Sequence, residues 1–166
     1  DSNIYMLQNE YRQETKNSTL VTDFALTKGY KSKLYKKKNS ISHLFARYYL
    51  DLNYEKFNKS DLDIKIEKVT NDTYLKLFDS NLIKSLIKPS DKNKMTSVIS
   101  LKLDHENYDF NVALKAYEEL SGKNSDRYQF VIPSYDFSKN LYSNPEIGTI
   151  EFSSSGNNNL INTNNL

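Results

Sequence analysis

The chain offers few residues whose type and spacing could do chemistry, and histidine is the first place to look. His43 sits one position from an apolar stripe formed by Ile41, Leu44, Phe45, Tyr48, Tyr49 and Leu52. In a sheet-and-helix domain such a histidine could act as the base of a pocket, with Tyr48 and Tyr49 near its mouth. The simpler reading, a helix-boundary histidine with solvent on one side, is preferred. His105 stands between Asp104 and Glu106. Consecutive residues of a strand point to opposite faces, so these three do not converge on a metal. Asp61 and Asp63 would share a strand face and could hold a hard cation. No further oxygen ligands stand at loop spacing, and a solvated face continued by Lys65 and Glu67 is the simpler reading. Glu118-Glu119 reads as solvation beside a hairpin.

Lys31, Lys33, Lys36, Lys37 and Lys38 form the main charge cluster, with Tyr30 and Tyr35 among them. Lys36, Lys37 and Lys38 are candidate contacts for anionic lipid headgroups or a partner; a solvated loop is the alternative. No glycine-rich phosphate loop, nucleophile elbow or HExxH pattern is present. Catalytic, cofactor and metal residues are therefore not assigned. Three sequons begin at Asn17, Asn58 and Asn71, as chance predicts for a chain so rich in Asn.

Composition narrows the classes further. Net charge is +2, from 23 basic and 21 acidic residues, which does not suggest sequence-specific nucleic-acid binding. Arg, the better residue for bidentate base or phosphate contacts, occurs only at Arg12, Arg47 and Arg127. There is no Cys, so disulfides and thiolate chemistry are excluded. With 166 residues the expectation is one domain, packed largely by its 13 Tyr and 8 Phe. No apolar run is long enough for a membrane-spanning helix. The chain begins at Asp1 rather than Met, which reads as a processed or trimmed chain, one from which a signal peptide or membrane anchor could have been removed.

The elements that would position these residues are read from periodicity. The Ser40–Phe57 stripe has the i, i+3, i+4, i+7 spacing of a buried helix face. Ile4, Leu7 and Tyr11 suggest a modest helix or stalk over residues 1–18. Leu20 to Leu26 suggest another helix, with a break near Gly29. Leu62 to Val69 alternates as a strand. Tyr74, Leu75, Phe78, Leu82, Leu86 and Ile87 predict a helix ended by Pro89. From Met95 the period becomes two, giving strands over Val98–Leu103, Tyr108–Leu120, Arg127–Phe137 and Ile147–Phe152. Ser121 to Ser125 is the expected hairpin loop, Pro133 an edge position or bulge, and Asn144-Pro145 a turn. The Asn-rich segment 153–166 is expected to be a flexible tail. The fold class expected is α+β: a curved antiparallel sheet of about four strands packed on N-terminal helices, spanning residues 19–152.

That element order resembles the nuclear-transport-factor-like superfamily. The segment Leu44 to Leu62, LFARYYLDLNYEKFNKSDL, looks like its first core helix. Within it, the helix YLDLNYEKFN, the later helix NDTYLKLFDSNL, and Asn144-Pro145 before IGTIEF resemble the type IV secretion scaffold family, VirB component eight, and its Gram-positive conjugation relatives. The resemblance covers roughly Tyr30 to Phe152. It implies a non-enzymatic scaffold on the outer side of the cytoplasmic membrane, tethered by a removed N-terminal anchor. It also implies self-association and contact with other secretion-channel subunits. A small-ligand-binding or enzymatic cone, and a secreted lipoprotein or adhesin, are the alternatives.

Overall fold

The computed structural model describes residues 4–30, 39–122 and 127–161. Its architecture is one antiparallel sheet of 8 strands in which every neighbour in space is a neighbour in sequence. The strands are β1 (Tyr5–Glu14), β2 (Ser18–Tyr30), β3 (Asn39–Asp51), β4 (Lys59–Val69), β5 (Lys94–His105), β6 (Tyr108–Glu119), β7 (Tyr128–Asn144) and β8 (Gly148–Ile161). A short helix α1 (Tyr74–Leu77) and a 3₁₀ turn (Asn81–Lys84) lie between β4 and β5.

The α+β cone with N-terminal helices is thus not found. The helix expected over Ser40–Phe57 is mostly β3, and the physical reason lies in its side chains. Cross-strand partners share a face, so Ile41, His43 and Phe45 stand opposite Thr27, Ala25 and Asp23. Leu44, Ala46 and Tyr48 point to the other side, opposite Phe24, Thr22 and Leu20. A strand with large apolar groups on both faces fills the i, i+3, i+4 positions as readily as a helix does. The expected stalk over residues 1–18 holds β1, paired along its length with β2 from Tyr5↔Lys28 to Glu14↔Thr19. The expected Leu20–Leu26 helix belongs to β2 for the same two-faced reason. Residues 153–161, expected as a tail, are the second half of β8, paired with β7 from Ser138↔Ser153 to Gln129↔Ile161. Backbone pairing orders this Ser/Asn stretch without a buried side-chain stripe.

The second half of the chain follows the period-two reading. Pro133 lies not at an edge but at a break in register, with shifts between Val131 and Ser134 and between Ala113 and Lys115. At the β7–β8 turn the Asn144 side chain accepts hydrogen bonds from the backbone N–H of Glu146 (2.8 Å) and Ile147 (3.2 Å). Gly148 follows at φ 114, a left-handed conformation that favours glycine.

The core sits on one side of the first strands. Ile41, Phe45 and Val69 meet Tyr74, Leu75, Phe78 and Leu82 of the helical segment, with Met95 and Leu120 closing the cluster. The expected helix over Tyr74–Ile87 is therefore real in part, broken into two turns. Its apolar stripe covers one end of the sheet, against β3 and the adjoining ends of β4, β5 and β6.

Candidate functional site

His43 is at the centre of the best-formed polar cluster. β3 places it beside Ala25 on β2 and Val69 on β4. Its Nε2 lies 3.1 Å from Asp23 Oδ1 and its Nδ1 lies 2.8 Å from the Tyr74 hydroxyl. Gln8 of β1 donates to the same Asp23 carboxylate at 3.1 Å. The His43 ring stacks on Phe45 at 4.3 Å and meets Tyr74 edge-on at 5.3 Å. Desolvation by burial pulls the His43 pKa below its ordinary value, against the opposing hydrogen bond and charge of Asp23. Burial, aided by the negative charge of Asp23, pushes the Tyr74 phenol up to about 12. One proton arrangement satisfies all three groups: Nε2–H donates to Asp23, and the Tyr74 O–H donates to Nδ1.

This constellation resembles a base with its orienting carboxylate, yet nothing reaches it. The His43 and Asp23 side chains are both 0% exposed, and the Tyr74 ring seals the remaining side. A proton-transfer site needs substrate within hydrogen-bond reach. The cluster pins the α1 cover to the sheet.

The other residues singled out in the sequence are dispersed. Tyr48 stands on the opposite face from His43, across from Leu20 and Ile64. Tyr49 shares the face of His43 but lies six residues along the strand, roughly 20 Å away, where its hydroxyl donates to Asp61 at 2.8 Å. The three do not line one pocket. Asp61 pairs with Lys59 at 2.9 Å and Asp63 with Arg47 at 3.0 Å, so both carboxylates are satisfied on that face. Lys31, Lys33, Tyr35, Lys36, Lys37 and Lys38 fall outside the described residues. Among the described residues, no group of three or more His, Asp or Glu is placed to hold a metal ion.

Glu118, read as solvation, is instead 6% exposed. It accepts hydrogen bonds from Lys68 (2.7 Å), Arg127 (2.8 Å) and Tyr128 (3.0 Å). Arg127 also reaches Asp72 at 2.6 Å. Burial alone would raise the Glu118 pKa; the hydrogen bonds from Lys68, Tyr128 and Arg127 outweigh it and hold the carboxyl below its ordinary value. This cluster ties β4, β6, the start of β7 and the approach to α1 together.

The feature that sequence reading missed is the face opposite His43. Register places Leu26 and Phe24 on β2, Leu44 and Tyr48 on β3, Leu62, Ile64 and Ile66 on β4, and Ile99, Leu101 and Leu103 on β5 side by side. Phe110, Val112 and Leu114 on β6, then Tyr135 and Phe137 on β7, continue the row. Many of these groups are open: Leu26 is 57% exposed, Ile99 46%, Leu44 45% and Leu114 41%. A shallow groove at its middle is lined by Ile64, Ile66, Ile99, Leu114, Phe130 and Ile132. The reverse face at the same level is polar, carrying Asp63, Ser100, Lys102, Asn111, Asp136 and Ser155. Monomeric soluble proteins rarely expose a continuous apolar patch this wide.

Comparison with protein families, curated proteins and solved structures finds no match for this chain.

Proposed function

We propose that this chain is a non-enzymatic structural module that works through the apolar face of its sheet. The observation that carries the reading is the contrast between the two faces. The one histidine cluster with catalytic-looking geometry is sealed from substrate, while an apolar surface running from β2 to β7 stands uncovered. A surface of that kind is stable in water only when something covers it. An assembly role, with self-association or partner contact at the extracytoplasmic side of a membrane, fits this face. The narrower reading as a conjugation-channel subunit rested on a helix-then-sheet order that the fold does not have, and it is not carried further.

The absence of Cys from the chain makes a direct test available. Leu114→Cys on the apolar face and Asn111→Cys on the polar face are each exposed to a water-soluble maleimide in intact cells. The expected result is protection of position 114 until the protein is unfolded, and ready labelling at 111. Equal labelling of the two positions overturns the reading.

A further inference from the structure

The apolar face has an organised outline, and that outline identifies what covers it. One end is bordered by a chain of rings. Phe57 lies edge-on to His105 at 5.8 Å and to Tyr108 at 6.0 Å, and His105 stacks on Tyr108 at 4.6 Å. Tyr108 then approaches Phe137 at 6.3 Å, and Phe137 approaches Phe152 at 6.3 Å. These rings run across β5, β6, β7 and β8 at the level of the β5–β6 turn. The other end carries Tyr128 stacked on Phe130 at 6.2 Å, with the Lys68 ammonium 5.5 Å from the Tyr128 ring and the Glu118–Arg127 pair beside it. Rings at both limits, joined by long cations at the Tyr128 end, with apolar groups between, are the pattern of a surface that passes from water through an apolar slab and back.

The height of the band agrees. On β6 the open-face positions run from Tyr108 through Phe110, Val112, Leu114 and Ala116 to Glu118. Ten rises along the strand cover roughly 34 Å, which at a tilt of about 40° is a slab of roughly 26 Å, close to the apolar band of a membrane-spanning sheet. The polar reverse face supplies the alternation that such a sheet needs. Sequential antiparallel pairing leaves no crossover to be buried in the slab; β4 and β5 pair from Lys59↔Asp104 to Lys65↔Val98, and just beyond that the Glu67 carboxylate accepts from the Thr96 N–H at 2.7 Å while the Glu67 N–H donates to Ser97 Oγ at 3.1 Å.

We propose that this face is lipid-facing: its occupant is the hydrocarbon of a bilayer. The reverse face then borders water; α1 reaches that side where Tyr74 meets His43, and its cluster also takes in Met95 and Leu120, which share the face of Ile99 and Leu114 at the sheet end beyond the slab. The proposal deepens the functional reading above and rests on it. It also requires β1 and β8 to be paired in the membrane, with each other or with further strands, because an open edge is not tolerated in hydrocarbon.

The chain has no Trp, so a single introduced indole reports on one position. Leu114→Trp and Ile99→Trp on the apolar face and Lys102→Trp on the polar face are prepared as full chains. Each is reconstituted into phosphatidylcholine vesicles whose acyl chains carry bromine near the bilayer midplane. Circular dichroism confirms the sheet in each variant, and the second apolar-face site covers failure of the first to fold. The expected outcome is folded protein sedimenting with the vesicles, and fluorescence at 114 and 99 quenched several-fold more strongly than at 102. Folded chain left in the supernatant, or equal quenching on the two faces, overturns the proposal. If position 114 is nonetheless protected in cells, the face is covered by protein and the broader reading stands. If it labels freely, both fall.

Discussion

Removing one oxygen tests the buried cluster most sharply. In Tyr74→Phe the ring is retained, so its contacts with Phe78 at 4.9 Å and with His43 survive and no large cavity forms. Only the hydroxyl that donates to His43 Nδ1 at 2.8 Å is lost. Among the described residues Nδ1 has no other donor, and the His43 side chain is 0% exposed, so water does not replace the bond. A buried acceptor left without a partner costs about 1–3 kcal/mol. Taking about 2 kcal/mol, a chain of this length melts roughly 4–8 °C lower. Tyr74→Ala, which also deletes the ring, is expected to cost about 3–5 kcal/mol. The assay is urea and thermal unfolding followed by tyrosine near-ultraviolet circular dichroism, in whichever of buffer or detergent holds the chain folded. A Phe variant that melts within about 1 °C of the parent refutes the reasoning, because the bond then contributes nothing measurable. A Phe variant as damaged as the Ala variant refutes it differently, since the loss would not belong to the hydroxyl.

Other expectations follow from the same contacts. His43 is harder to protonate folded than unfolded, so its contribution to stability is present above the unfolded value of 6.5 and is lost as pH falls from there through the lower folded value. Urea midpoints from pH 8 to pH 5 should fall in the parent and flatten in His43→Gln; an unchanged slope would assign the effect elsewhere. Glu118 behaves in the opposite sense to an unpaired acid: its depressed pKa gives stability above the unfolded value of 4.5 that disappears on further acidification. Glu118→Ala should cost about 1–3 kcal/mol at neutral pH and remove that acid dependence, as read by the same titration. At Gly156 an added Cβ would sit 2.8 Å from Tyr135 Cε1. Gly156→Ala should therefore push the exposed Tyr135 ring aside at a cost of about 0.5–1.5 kcal/mol, and much less in a Tyr135→Ala background, which a double-mutant cycle measures.

What the sequence made legible was the half of the chain whose strands alternate. Val98–Leu103, Tyr108–Leu120 and the Asn144-Pro145 turn all read correctly because one side of each strand is apolar and the other polar. β3 did not, because Leu44 and Phe45 are adjacent and large yet face opposite ways. β1 did not, because Ile4, Leu7 and Tyr11 fall at helical spacing, and neither did the second half of β8, because a Ser/Asn stretch held by backbone pairing leaves no periodic trace. His43 drew notice from its type, but its partners Asp23 and Tyr74 stand on other elements, and local spacing contains no record of them. The breadth of the apolar face was equally hidden. It comes from neighbouring strands set in register, and no one strand displays it.

The sequential strand order has a kinetic consequence. Three of the seven strand pairings are closed by turns of two or three residues, Thr15–Asn17, Glu106–Asn107 and Pro145–Ile147, and such hairpins nucleate locally and rapidly. β4 and β5 are separated by the whole stretch from Thr70 to Asn93, so the entropy of loop closure falls most heavily there. The chain is thus expected to zip as two growing ribbons, β1–β4 and β5–β8. Their joining waits on the docking of Tyr74 beside His43, and that seam is where assembly would stall.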